Sequence, residues 1–287
     1  MHYTLIKSIK NTFTINRGIS MESNTNVKQA LKEQYKTAEN LIARGSLHSY
    51  NTNKTDWNNW CFSQMRIPDK ARILELGCGT GDFWHKNWQS LRNDWNITLS
   101  DFSMGMINNT KERLEDINFS FTYREIDAQD IPYENECFDI VIARHMLYLV
   151  PDIEKALSEI KRVLVKGGIL YVTTNSHDAM AELNVLVEKF DSQMELHNNG
   201  MGDRFDMEDG YSLLKKYFGE VNAEIFQGKI IIDKAEPIVN YKASTVRGRS
   251  ILVGEKKKQF MKYIEDYIRE NGNLSITTKA CIFKVRN

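Results

Sequence analysis

The glycine cluster Gly77-Cys-Gly-Thr-Gly81, which directly follows an apolar run, is the feature that most limits the possible folds of this chain. The run from Ala71 to Leu76 predicts a short buried strand. Glycines after such a strand let the backbone turn tightly into a helix and approach a ligand closely. The sequence therefore predicts a strand–turn–helix unit with a ligand site at the turn.

Predicted strands and helices alternate on both sides of this unit. The predicted strands cover residues 71–76, 96–100, 119–125, 138–143 and 169–174. The predicted helices between them cover residues 82–91, 103–115 and 153–164. This alternation indicates βαβ units, and hence an α/β fold in which helices cover both faces of a mostly parallel sheet.

The regular alternation of predicted strands and helices ends at residue 174. Residues 177–204 predict a helix that runs into a polar, glycine-punctuated stretch, and 207–217 predict another helix. A strand is expected over 221–227, then a short strand and two helices within 228–273, and a final strand over 277–285. We interpret the chain as one α/β domain with late helical insertions.

The amino-terminal part is expected to cover the sheet. A helix is predicted from Val27 to Arg44, followed by a polar stretch rich in aromatic residues. We expect 21–66 to form a helical lid, 67–176 the ligand-binding core, and 177–287 the substrate cap with the last strands. Residues 1–20 are expected to be a mis-annotated leader upstream of a start at Met21, or else a short disordered or amphipathic arm.

Charge and cysteine content restrict the function classes. Thirty-eight basic residues balance thirty-eight acidic ones, so no net field would gather nucleic acid or anionic lipid. The four cysteines are spaced singly, which predicts free thiols and no zinc site or other metal site. No apolar run reaches the ~18 residues that a membrane span needs. These patterns predict a cytoplasmic protein without a membrane segment.

Two carboxylates near the glycine turn indicate the kind of ligand. Asp82 occupies the position where the dinucleotide fingerprint requires glycine, which disfavours a pyrophosphate and suits a cationic or zwitterionic tail. Asp101, at the end of the second predicted strand, is placed to accept the hydroxyl protons of a ribose. The alternative for Asp101 is a helix cap without a ligand.

Four blocks, at residues 73–81, 100–106, 126–150 and 157–174, resemble class I S-adenosylmethionine-dependent methyltransferases of the methyltransferase-11 group. The resemblance implies S-adenosyl-L-methionine as cofactor and a Rossmann-like sheet of seven strands, the last of them antiparallel. It also implies a set of cofactor-binding residues: Glu75, Gly77, Cys78 and Gly79 at the turn, Asp101 at the ribose, Phe102, Met106, Asp127, Ala128 and Gln129 around the adenine, and Ala143 near the sulfonium.

The acceptor side is expected to involve residues after the fourth strand and in the lid. His145 is the candidate general base, with packing against the cofactor as its alternative. Arg144 is expected to bind a substrate carboxylate or to pair with a nearby acid, and Tyr148 to line the pocket or pack in the core. The lid contributes the remaining candidates, which are Tyr35, Arg44, His48, Tyr50 and Trp57.

These features predict an enzyme that methylates an oxygen or nitrogen of a small molecule. The balanced charge and the late insertions favour an enclosed pocket over a nucleic-acid groove. The alternatives are a methyltransferase acting on RNA or protein and a non-catalytic cofactor-binding protein, because the fold alone does not define the function.

Overall fold

The computed structural model describes residues 45–194 and 205–287 of the chain. This part of the chain contains a seven-stranded sheet in the order β3-β2-β1-β4-β5-β7-β6. Its strands are β1 (Arg72–Leu76), β2 (Asn96–Asp101), β3 (Thr122–Glu125), β4 (Phe138–Arg144), β5 (Leu164–Asn175), β6 (Glu220–Ile232) and β7 (Leu274–Arg286). The predicted α/β fold with a mostly parallel, seven-stranded sheet is confirmed.

Helices connect the strands and extend the late part of the chain. They are α1 (Trp57–Ser63), α2 (Asp82–Lys86), α3 (Met104–Arg113), α4 (Ile153–Val163), α5 (Ala181–Phe190), α6 (Met207–Tyr217), α7 (Ala235–Ala243), α8 (Val246–Ile251) and α9 (Gly254–Asn271). Short 3-10 turns lie at Trp88–Ser90, Leu147–Leu149 and Ser192–Met194.

The strand order defines where a ligand can enter. Strand β1 pairs in parallel with both β2 and β4, and β4 pairs in parallel with β5, whereas β7 runs antiparallel between β5 and β6. The direction of winding reverses between β1 and β4. In such open sheets a crevice forms at this switch point, outside the carboxyl ends of the strands.

Side chains alternate between the two faces of the sheet, and each face has its own apolar core. Leu74 and Val141 pack with α4 and α6 on one face, while Ile73 and Ile140 pack with aromatic residues of α1 and α2 on the other. A third apolar cluster joins Leu47, α5, α7 and α9 to the end of β6 and the start of β7. The late helices therefore form a cap with its own core beside the crevice.

The predicted break in the late strands is wrong. Residues 220–232 form a single strand that passes through Gly228. A Cβ atom at Gly228 would lie 2.2 Å from the Asn51 side-chain oxygen, so this position needs glycine for close approach rather than for a turn. The contact with Asn51 spans most of the chain, so no local pattern shows that the strand continues through this glycine.

Several predictions concern residues 1–44, which lie outside the described residues. They are the leader at 1–20, the start at Met21, the helix from Val27 to Arg44, and the two lid candidates Tyr35 and Arg44. Within residues 45–194 and 205–287, no helix combines the length and apolar character that crossing a membrane requires.

Candidate functional site

A cavity of about 980 Å³ opens at the carboxyl ends of β1 and β4. This volume is at the upper end of the range for small-molecule sites, which leaves room for two ligands side by side. Most of the predicted site residues line it: His48, Trp57, Glu75, Gly77, Cys78, Gly79, Asp101, Phe102, Met106, Asp127, Ala128, Gln129, Arg144, His145 and Tyr148.

Hydrogen bonds to β2 and α3 hold the glycine turn in place at the cavity. Gly77 and Gly79 have φ values of 72° and 59°, in the left-handed region that favours glycine. The Cys78 amide donates to the Ser100 carbonyl at 2.8 Å, and the Thr110 hydroxyl donates to the Gly79 carbonyl at 2.8 Å. The backbone of the turn therefore forms one rigid wall of the cavity.

Asp101 ends β2 and lines the cavity beside the glycine turn. Its carboxylate accepts hydrogen bonds from the Gly79 amide at 3.1 Å and the Ser103 amide at 2.9 Å. The second bond holds the residue that precedes α3, so Asp101 fixes the turn between β2 and this helix. Burial raises the pKa of Asp101 to about 6, and hydrogen bonds from the amides of Ser103, Gly79 and Phe102 oppose this increase.

Glu75 lies beneath the glycine turn and is 1% exposed. It accepts a hydrogen bond from the Trp84 indole at 2.6 Å, and burial raises its pKa to about 7. Asp82 also lines the cavity, but its carboxylate already pairs with Arg113 at 2.8 Å. Of the two carboxylates expected near a cationic tail, Glu75 is therefore the better candidate for binding it.

The segment after β3 is also fixed in position. The Gln129 amide donates to the Asp127 carboxylate at 2.9 Å, while its oxygen accepts from the Asp152 amide at 3.0 Å. This chain of bonds joins the predicted adenine-edge residues to the start of α4. Asp127 and Gln129 therefore present a defined polar edge to the cavity.

His145 follows β4 with a φ of 49°, an uncommon conformation for a residue other than glycine. Its amide donates to the Thr173 carbonyl at 3.0 Å and lies 3.1 Å from the Thr173 hydroxyl oxygen. Burial, Arg144 and His48 together lower the pKa of His145 to about 3. Burial also lowers the pKa of His48. His145 is thus neutral near pH 7 and a weak base in this cavity.

An aromatic cluster from distant parts of the chain packs against the imidazole of His145 through Trp57. The Trp57 ring centre lies 5.4 Å from that of His145 and 5.2 Å from that of Phe226. Trp60 stacks behind Trp57 at 5.4 Å. Sequence reasoning missed Phe226; its only signal was the apolar alternation of β6, which is equally typical of a packing residue.

Residues 51–58, which we call the strap, cross the cavity from β6 and β7 to α2. At one end the Asn51 amide donates to the Thr278 hydroxyl at 2.9 Å, and Thr52 donates to the Lys229 carbonyl at 2.7 Å. At the other end Asp56 pairs with Lys86, and the Asn58 side-chain oxygen accepts from Arg144 at 2.6 Å. The strap thus forms a roof that joins the two halves of the crevice.

Two described candidates do not line the cavity. Ala143 is fully buried in the core on the α4 side of the sheet, one residue below the cavity wall formed by Arg144. Tyr50 packs against the apolar cluster of the late helices. The position of Ala143 follows from side-chain direction, since neighbouring residues of a strand face opposite ways.

The described residues contain no group of three or more histidine, cysteine, aspartate or glutamate side chains arranged to hold a metal ion. The groups that face the cavity are instead suited to an organic ligand with a diol, a polar ring edge and a charged tail. Asp101, Asp127 and Glu75 supply these three features. S-adenosylmethionine carries all three, so the residues present fit this cofactor.

Comparisons with known proteins agree with this geometry. A family model described as a methyltransferase domain matches residues 74–172. A ubiquinone/menaquinone biosynthesis C-methyltransferase from Campylobacter jejuni is 38% identical over 112 residues. That match covers 38% of this chain and 46% of the relative, so the chain spans less than half of the relative's length.

Solved structures share the fold at low identity. The BH2331 protein of Bacillus halodurans superposes with a TM-score of 0.57 and 18% identity, over 80% of this chain and 98% of the other. A phosphoethanolamine N-methyltransferase of Haemonchus contortus, solved with S-adenosylhomocysteine, gives a TM-score of 0.55 and 16% identity, over 91% of this chain and 60% of the other. We therefore identify residues 74–172 as a methyltransferase domain of the class I, S-adenosylmethionine-dependent type.

Proposed function

We propose that this chain transfers a methyl group from S-adenosylmethionine to a small-molecule acceptor. The observation that carries the proposal is that one cavity of about 980 Å³ has a polar end at Asp101 and an aromatic end at His145. Residues of the strap line the same cavity. One continuous cavity of this size has room for cofactor and acceptor together. Proximity and orientation supply ~7–11 kcal/mol of the barrier to such a reaction.

The polar end is assigned to the cofactor. Asp101 would hold the ribose hydroxyls, Asp127 and Gln129 the adenine edge, and Glu75 with the glycine turn the amino acid tail. When bound, the sulfonium supplies a methyl group already activated for displacement. The protein's task is then to hold the acceptor atom in line with that methyl group and to exclude water.

Replacing Asp101 with alanine is expected to weaken the binding of S-adenosylhomocysteine by ~1–3 kcal/mol, because charged hydrogen bonds to the ribose are lost. In the unchanged protein, affinity should fall as the pH drops through about 6, since only the ionised carboxylate accepts both hydroxyl protons. Calorimetric titration at several pH values measures both effects.

Glu125→Ala is the matched control for this experiment. Glu125 ends the neighbouring strand opposite Asp101, but it is exposed and does not line the cavity. Its removal should leave the affinity unchanged above pH 7, where Asp101 is ionised whether or not the charge of Glu125 is present. Equal affinities for Asp101→Ala and the unchanged protein would remove the ribose assignment.

The aromatic end is assigned to the acceptor. Trp57, Phe226 and the neutral ring of His145 offer flat, uncharged surfaces, which suit an apolar or aromatic acceptor. A base with a pKa of about 3 is poorly matched to deprotonating a hydroxyl at neutral pH. We therefore favour a nitrogen whose lone pair is already free, or an oxygen already ionised, and assign His145 to positioning. The named activity of the Campylobacter relative adds an activated carbon as an alternative.

Transfer of labelled methyl groups tests the proposal. Purified protein is incubated with methyl-labelled cofactor and a cell extract, and the label is then separated by molecular size. Label in the small-molecule fraction is expected, and it should be lost with Asp101→Ala at limiting cofactor. Label in RNA or protein would instead favour a macromolecular substrate. Binding without any transfer would favour a non-catalytic role.

A further inference from the structure

Arg144 is a largely buried cation, and not all of its N–H donors have hydrogen-bond partners among the described residues. Its side chain is 14% exposed and lines the cavity. One terminal nitrogen donates to Asn58 at 2.6 Å, while the Nε atom has no hydrogen-bond partner. A guanidinium carries five donors in a planar fork that matches a carboxylate. An unsatisfied buried donor costs free energy, so this arrangement indicates a missing acceptor.

Glu75, the nearest acid, does not satisfy Arg144. Their closest nitrogen–oxygen distance is 3.8 Å, which is too long for a hydrogen bond. The other Glu75 oxygen is already held by Trp84 at 2.6 Å. Glu75 therefore keeps one oxygen available beside an arginine that keeps free donors.

The position of this pair points to one part of the ligand. Arg144 stacks over the Phe83 ring at 4.2 Å, and Phe83 is the second residue of α2, directly after the glycine turn. Opposite charges that both face the cavity complement an α-amino acid group, whose ammonium and carboxylate are separated by one carbon. Neither charge is well placed to bind the ring of an acceptor.

We propose that Arg144 binds the carboxylate of the cofactor's amino acid tail while Glu75 binds its ammonium group. The inference rests on the proposed function, because it takes S-adenosylmethionine as the ligand. It moves Arg144 from the acceptor to the cofactor. It also links the strap to cofactor binding. Asn58 of the strap and the cofactor's carboxylate would contact the same guanidinium.

Two ligands and two variants test this assignment by calorimetry without any acceptor present. The ligands are S-adenosylhomocysteine and its decarboxylated analogue, 5′-(3-aminopropylthio)-5′-deoxyadenosine, which keeps the amine. Arg144→Gln is expected to weaken S-adenosylhomocysteine about 10–100-fold, as for a lost charged hydrogen bond, and the analogue less than about 3-fold. Asn58→Ala removes the bond that holds Arg144 from the other side, so it should weaken S-adenosylhomocysteine more than the analogue, though less than Arg144→Gln does.

Each other outcome has a distinct meaning. If Arg144→Gln weakens both ligands equally, Arg144 acts only through the structure of the site and the inference is overturned. If neither ligand is affected, the carboxylate that Arg144 binds belongs to the acceptor, which also overturns it. If the unchanged protein binds neither ligand, the proposed function itself fails. Melting temperatures of both variants check that the comparison is made between folded proteins.

Discussion

Replacement of Lys242 by methionine should raise the free energy of unfolding at pH 7 by about 3–5 kcal/mol. Lys242 lies on α7, is 1% exposed, and its Nζ atom has no hydrogen-bond partner. Burial lowers its pKa from 10.5 to about 7, and each unit corresponds to 1.36 kcal/mol. Methionine has a similar length, is flexible and carries no charge to desolvate.

The pH dependence of this effect has a definite sign. Between pH 7 and 10.5 the unfolded chain binds a proton at Lys242 that the folded protein does not hold, so stability rises with pH. The advantage of the methionine variant should therefore shrink from pH 7 to pH 10. Urea titrations at both pH values measure it.

An exposed lysine provides the control. Lys258 lies on α9 with its side chain 78% exposed, so Lys258→Met should change the free energy of unfolding by less than about 0.5 kcal/mol. A stability difference for Lys242→Met that stays constant from pH 7 to pH 10 would show that the buried amine is not the cause.

Replacement of Gly77 by alanine should reduce the affinity for S-adenosylhomocysteine at least ~100-fold. The φ of 72° costs a residue with a side chain ~1–2 kcal/mol. The new Cβ would also lie 2.9 Å from the Met146 Cβ atom, so the turn after β1 or the segment after β4 must move. Both segments line the cavity, and a shift of either disturbs the cofactor end.

A matched variant at Gly167 distinguishes the effect of backbone strain from the effect of the contact between the new Cβ and Met146. Its φ of 75° is nearly the same, but a Cβ there would meet no atom within 4 Å, and the residue lies outside the cavity. Gly167→Ala should therefore lower the melting temperature slightly and leave the affinity unchanged. Calorimetry and thermal denaturation of both variants measure the comparison, and equal affinities would contradict the role given to the Gly77 turn.

Sequence patterns predicted the sheet well because each strand and helix is encoded in a short stretch of chain. The run into Gly77 and the alternation up to residue 174 depend on neighbours within one or two turns of chain. For the same reason the position of Asp101 near the turn was predictable, since both elements belong to one βαβ unit. The boundaries were less certain: β5 begins at Leu164 rather than at residue 169.

The acceptor end was less predictable because it is assembled from distant segments. Trp57 and Phe226 are far apart in sequence, and their rings meet only in the assembled fold, at 5.2 Å. Asn51 reaches Thr278 in the same way, which turns a polar stretch into the strap. No local pattern distinguishes these residues from surface or packing residues.

The sequence by itself determined the order of the elements, the glycine turn and the acid after β2, because hydrophobic periodicity and glycine's backbone freedom act locally. Only the tertiary structure decided the chemistry of the groups. Burial makes His145 a weak base and leaves Lys242 uncharged at mildly alkaline pH, and Asp82 is paired with Arg113 while Arg144 keeps a free donor. Protonation and pairing depend on what surrounds a side chain in space, and that environment forms only when the whole sheet is assembled.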